Sequence, residues 1–167
     1  VVRVDRVDAI AHALQRLDRR ILEGAGGEKA RVFDAIEEAT GRLEREALLD
    51  VGCGDGKITV EIAKALPNGR VVGVDSSPEM VKLAQSTFPK EANANLSFEL
   101  MDAKKLTFQR MFDIAFSNAA LHWIVDQAAV LQGVQRSLKA GGRLLFQMAG
   151  RGNAKDVIDV LDELRLE

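Results

Sequence analysis

The sequence predicts an α/β protein built on a doubly wound, mostly parallel sheet with helices on both faces. Three observations lead there. From residue 47 onward, short apolar runs of strand length alternate with stretches of helical period. Glycines stand at every second position directly after the first of those runs, in "LLDVGCGDG", residues 48–56. The 167 residues suit one domain, able to bury a core without disulfides.

The elements follow in order. Residues 5–22 form an amphipathic helix, with Val7, Ile10, Leu14, Leu17 and Ile21 recurring at three- and four-residue steps. "EGAGG" at 23–27 breaks it, and a second helix covers 28–44. Residues 1–46 thus read as a helical N-terminal unit, with "VVRV" at its start an alternative edge strand. The main unit, 47–167, carries five strands: 47–52, 70–75, 96–102, 112–118 and 143–150. Helices over 57–66, from Ser77-Pro78 to Phe88, and over 126–138 separate them, with "PNG" and "KAGG" as turns. The closing "NAKDVIDVLDELRLE" is one more helix, with Val157, Val160, Leu161 and Leu164 on one face. Sheets of this type bind ligands beyond the carboxyl ends of their strands, so the residues just after each strand are the place to look for function.

Bulk composition removes several classes of function. With 23 basic against 25 acidic residues, nothing marks a nucleic-acid or membrane surface. The single cysteine, Cys53, excludes an internal disulfide and a cysteine-rich zinc site. No segment reaches the length of a membrane-spanning helix, and "VVRVDRVDAI" has no apolar signal core. These features predict a reducing, cytoplasmic setting and no resident metal.

Glycine costs conformational entropy, so the run after the first strand calls for a ligand or a sharp turn. A dinucleotide is one candidate, but the G-x-G-x-x-G fingerprint would need a third glycine where Lys57 stands. A nucleoside triphosphate is another, but Gly56-Lys57 is followed by Ile58, and no glycine stands five positions before Gly56. The third is an adenosyl ligand without phosphates.

For that third candidate there is a resemblance. "LLDVGCGDG" resembles the first motif of the class I S-adenosylmethionine-dependent methyltransferases, whose fold is Rossmann-like. "VVGVDSSPEMVKLAQ" is similar to that family's second strand and helix, and "FELMDAKKL" to its third-strand segment. "FDIAFSNAALHW" resembles the fourth strand, and "LKAGGRLLFQM" the turn into the fifth. The five motifs lie in the family's order and spacing, from about residue 45 to 152.

The resemblance implies a role for each matched position. Gly52, Gly54 and Gly56, with Cys53 between them, let the backbone approach the methionine part and the ribose of S-adenosyl-L-methionine. Asp50 faces the methionine ammonium, directly or through water. Asp75, with Ser76 beside it, holds the ribose hydroxyls. Asp102 accepts from the adenine amino group, Ala103 offers its backbone N–H to the ring, and Met80 packs on the adenine face. Asn118 ends the fourth strand beside the sulfonium.

Several of these residues also have a plain structural reading. Asp50 and Asp75 suit the N-terminal ends of helices, Asp102 a solvated turn, Met80 the core, and Cys53 a small buried filler. His12 belongs to a helix repeat. "ALHW", residues 120–123, contains the only tryptophan and one of two histidines, so His122 and Trp123 are the candidate substrate residues. Ser117 and His122 are close in sequence, but no nucleophile elbow surrounds the serine.

Methyl transfer from a sulfonium is an in-line displacement in which the cofactor brings its own leaving group. A carboxylate acceptor is ionised at neutral pH and needs no base, whereas carbon, amine and phenol acceptors often do. No residue is assigned as catalytic, and His122 is the only nearby candidate base. "SNAALHWIVDQAAVLQGVQRSLKAGGRLLFQM" most resembles the branch containing trans-aconitate methyltransferases, related to carboxyl methyltransferases acting on malonyl carrier protein and juvenile hormone acid. That implies a small-molecule carboxylate acceptor. The family's sheet has seven strands, so the sequence is expected to lack the C-terminal antiparallel pair. The edge of the fifth strand would then pair with a second copy, as a homodimer, or be covered by "VVRV". The alternative to an active methyltransferase is a non-catalytic, truncated or engineered domain that keeps the fold.

Overall fold

A computed structural model of the protein describes residues 45–148. The expected helices over 5–22 and 28–44, the edge strand "VVRV" and the closing helix lie outside them. Five strands form one parallel sheet: β1 (Ala47–Val51), β2 (Arg70–Asp75), β3 (Leu96–Leu100), β4 (Phe112–Asn118) and β5 (Leu138–Gln147). Their order is β3-β2-β1-β4-β5. Three helices connect them: α1 (Lys57–Ala65), α2 (Pro78–Thr87) and α3 (Gln127–Ser137).

The sequence dictates this layering. β1, β2 and β4 are near-continuous apolar runs, as strands covered on both faces must be. Alternate residues go to opposite faces. Leu48, Val71, Ile114 and Phe116 join Val60, Ile62, Val81 and Ala84 of α1 and α2 in one cluster. Leu49, Val72, Val74 and Ala115 join Val130 and Val134 of α3 in the other. A sheet with α1 and α2 on one face and α3 on the other reverses its winding between β1 and β4. Ligands bind at the carboxyl ends of the strands beside such a switch point.

Helix starts follow local chemistry. Ser77 caps α2 by accepting from the Met80 N–H, with Pro78 in the first turn, where its missing N–H is harmless. Asp126 caps α3 by accepting from the Ala129 N–H. At the amino ends of the strands, the Asp113 carboxylate takes the Ala47 N–H at 2.9 Å and Lys139 Nζ at 2.7 Å, tying β1, β4 and the start of β5 together.

Strand boundaries differ from expectation most at β5 and β3. β5 begins at Leu138, not at 143. The expected turn "KAGG" lies inside the strand as an irregularity: Phe112 pairs with Leu138 and Ile114 with Arg143, so Asp113 alone stands opposite Lys139 to Gly142. Gly141, at φ 77°, makes that loop-out possible. β3 ends at Leu100, because Asp102 turns away to open a short 3-10 turn, Ala103–Lys105.

Candidate functional site

The glycine loop joins β1 to α1 at the switch point. Its base is held by backbone bonds: Gly52 and Cys53 both donate to the Val74 carbonyl, at 2.8 and 3.0 Å, and Gly56 donates to Cys53 at 3.0 Å. Gly52, Gly54 and Gly56 have φ values of 79°, 53° and 77°, a region that disfavours every side chain. Their surroundings differ. A Cβ on Gly52 would stand 2.3 Å from the Ala120 methyl, and one on Gly56 would stand 2.5 Å from the Phe98 ring. A Cβ on Gly54 would meet nothing within 4 Å. Packing therefore accounts for Gly52 and Gly56. Gly54 is the glycine with bare backbone facing open space.

Asp75 ends β2 and faces this loop. Its Oδ2 accepts the Gly54 N–H and its Oδ1 the Ser77 N–H, both at 2.9 Å. One lone pair on each oxygen is thereby used and the carboxylate plane is held. Ser76 is exposed beside it. Met80, in the first turn of α2, is 42% exposed, so the plain core reading does not hold for it.

Asp50 lies deeper, 2% exposed within β1. Its Oδ2 accepts the Thr59 hydroxyl at 2.7 Å. Burial pushes its carboxyl up to about 7; the Thr59 bond pulls it down in part, and the charge of Asp75 adds to the rise. Cys53 is partly buried against Gly73. Burial first, and the Asp50 and Asp75 carboxylates after it, push its thiol far above the usual range. Both effects disfavour the thiolate, which fits a space-filling role.

Beyond β3, Asp102 caps the 3-10 turn by accepting the Lys104 N–H at 2.9 Å and pairs with Lys104 Nζ at 3.6 Å. Ala103 is buried at the first position of that turn, where helical geometry leaves an N–H without an internal acceptor. Asn118 closes β4, half-buried, and among the described residues its side chain has no hydrogen-bond partner. His122 and Trp123 follow on a second 3-10 turn, Leu121–Trp123, both exposed, with ring centroids 5.1 Å apart.

Sequence reasoning did not place Thr59, Ser77 or Ala120 at the site. Thr59 was recognisable as the hydroxyl residue on the first turn of the helix after the glycines. Ser77 opens α2 with its hydroxyl, and its N–H orients Asp75 as well. Ala120 carried no signal, since its contact with Gly52 exists only in three dimensions.

The donor set suits an adenosyl ligand carrying positive charge better than one carrying phosphate. Two carboxylates, Asp50 and Asp75, lie by the loop, and the adjacent Lys57 is ion-paired with Asp55 at 2.6 Å. Among the described residues, no cluster of His, Cys, Asp or Glu fits a metal ion, and no helix is long and apolar enough to cross a membrane.

Comparison with known proteins agrees. Residues 43–163 match the model of a family described as a methyltransferase domain. An uncharacterized methyltransferase of Schizosaccharomyces pombe is 39% identical over 117 residues, 68% of this chain and 44% of that protein. A trans-aconitate 2-methyltransferase of Streptomyces avermitilis is 34% identical over 125 residues, 73% of this chain and 46% of that protein. The chain thus spans a little less than half the length of these relatives. The crystal structure of an S-adenosylmethionine-dependent methyltransferase from Mesorhizobium loti superposes with a TM-score of 0.57 at 29% identity, covering 68% of this chain and 51% of that one. Sheet order, glycine loop and family match converge: the chain belongs to the class I S-adenosylmethionine-dependent methyltransferases.

Proposed function

We propose that this chain binds S-adenosylmethionine across the carboxyl ends of β1, β2 and β4, and directs its methyl group to a small-molecule carboxylate. The observation that carries the reading is the Asp75 carboxylate, held by the Gly54 and Ser77 N–H groups beside a glycine with open space above it. In this reading the free lone pairs of Asp75 accept from the ribose hydroxyls, with Ser76 at its side. Gly54 lets the ligand lie on the backbone, and Gly52, Cys53 and Gly56 shape the loop beneath. Asp50 balances the positive charge of the methionine part from below. Met80 covers one adenine face, while Asp102 and Ala103 meet its edge. Asn118 orients groups near the sulfur with its side-chain amide.

When bound, the cofactor supplies an activated methyl group on a sulfonium leaving group. The protein's part is alignment and exclusion of water. No side chain is needed as base for a carboxylate acceptor, and the exposed His122 and Trp123 form the acceptor side. The carboxylate assignment leans on the trans-aconitate methyltransferase of Streptomyces avermitilis, whose name states such an acceptor.

Calorimetric titration of the full chain with S-adenosylhomocysteine should show one site, and an absence of binding refutes the cofactor assignment. A labelled-methyl assay with small di- and tricarboxylic acids tests the acceptor. Transfer to amines but not to these acids would overturn the carboxylate reading alone.

A further inference from the structure

The segment after β4 is held in a costly way. Ala119 has a φ of 52°, the left-handed region that alanine avoids. Such backbone persists where surrounding structure over-determines it, and it concentrates at functional sites. Burial does not explain it, since Ala119 is exposed and Ala120 only half-buried. Two contacts do. On one side the Ala119 N–H donates to the Gln147 carbonyl of β5 at 2.9 Å. On the other, the Ala120 methyl fills the space where a side chain on Gly52 would be. Just below, the buried Ser117 hydroxyl donates to the Val51 carbonyl at 2.6 Å, joining the last residue of β1 to β4. Ala120 then feeds directly into the exposed turn, because its carbonyl accepts the Trp123 N–H at 3.1 Å.

We propose that Ala120 is a positioning residue: its methyl group, seated on Gly52, registers the His122–Trp123 turn against the glycine loop, so that cofactor arrival is transmitted to the acceptor side. The proposal rests on the cofactor reading above. A ligand on the loop fixes Gly52, Gly52 fixes Ala120, and the Ala120 carbonyl fixes the amide of Trp123. No side chain of the turn has to touch the ligand for this to happen.

Trp123 is the only tryptophan in the chain, so its fluorescence reports this turn alone. S-adenosylhomocysteine should shift Trp123 emission in the unmodified protein. Ala120→Gly, at a ligand concentration that calorimetry shows to saturate it, should lose most of the emission response. Ala120→Ser, which retains the Cβ, should restore it. A full response in Ala120→Gly, or binding without any response in the unmodified protein, overturns the coupling. An absence of calorimetric binding in the unmodified protein instead removes the cofactor reading on which it rests. Hydrogen exchange gives the answer without a variant: the ligand should slow exchange at the Trp123 and Ile124 amides, which donate to Ala120 and Leu121. Unchanged rates at both amides in a protein that binds the ligand overturn the proposal.

Discussion

The carboxyl ends of β2 and β4 face the same glycine loop, yet they are built by different means. At β2 the polar groups find partners locally. Both oxygens of Asp75 accept backbone N–H groups, and Ser77 donates one of them while its hydroxyl caps α2. At β4 the turn is held by the Ala119–Gln147 backbone bond, the Ala120 contact on Gly52 and a left-handed alanine, and it presents Asn118 without a side-chain partner among the described residues and Trp123 81% exposed. The β2 end is preorganised, which lowers the ordering cost of binding. The β4 end leaves its polar and aromatic groups in water, where they cost little until a ligand meets them.

That contrast can be broken most severely where the two ends touch. Gly52→Ala adds a methyl onto Ala120 at a left-handed position, and overpacking plus backbone strain should cost about 2–4 kcal/mol in urea unfolding. Gly54→Ala carries only the backbone part, about 1–2 kcal/mol, since its side chain enters open space. Equal losses at the two glycines would erase the distinction between a packing glycine and a ligand glycine.

Next in size is a pH effect at Asp50, beneath both ends. Its folded pKa is raised from 3.8 to about 7, so the folded state holds a proton that the unfolded state has released. Stability should therefore fall as pH rises between about 4 and 7 and level off above, by a few kcal/mol on the order of the shift. Asp50→Asn should flatten this slope. Thr59→Val removes the bond that lowers the pKa and should move the upper bend to higher pH. Stability that rises through this window in the unmodified protein would contradict the burial of the acid.

Asp75→Ala sharpens the β2 side. It removes the acceptor of two amides and, in the proposed role, of the ribose hydroxyls. Loss of charged hydrogen bonds of roughly 1.5–3 kcal/mol corresponds to about 10- to 100-fold weaker binding of S-adenosylhomocysteine. Unchanged affinity would leave Asp75 as a loop organiser only. Smallest is Ala119→Gly on the β4 side: relief of left-handed strain against the entropy of glycine leaves about 0–1 kcal/mol of stabilisation. A clear loss of thermal stability would show that alanine is not strained there.

How much of this was legible beforehand follows from where each signal resides. β1, β2 and β4 announce themselves because strands covered on both faces need uninterrupted apolar runs, and Ser77-Pro78 marks a helix start by local chemistry alone. The glycine run pointed correctly to a special loop. What demands Gly52 and Gly56 was not legible, because the Ala120 and Phe98 groups that press on them come from the segment after β4 and from β3. β5 was placed five residues late for a similar reason: "KAGG" has turn chemistry, and only pairing with β4 makes it an irregularity within a strand. The Asp50–Thr59 bond links a strand to a helix through the core: the hydroxyl's place on the first turn is visible in the sequence, its partner only in the fold.

Cys53 has a practical consequence for anyone who wishes to watch the β4 turn move. Its thiol is partly buried and driven up by that burial and by neighbouring carboxylates, so it should react more slowly with alkylating dyes than an exposed thiol does. Val125, two residues beyond Trp123, is fully exposed. A single Val125→Cys change should thus label faster on the segment of interest than at the native cysteine, which stays in place to fill the space against Gly73.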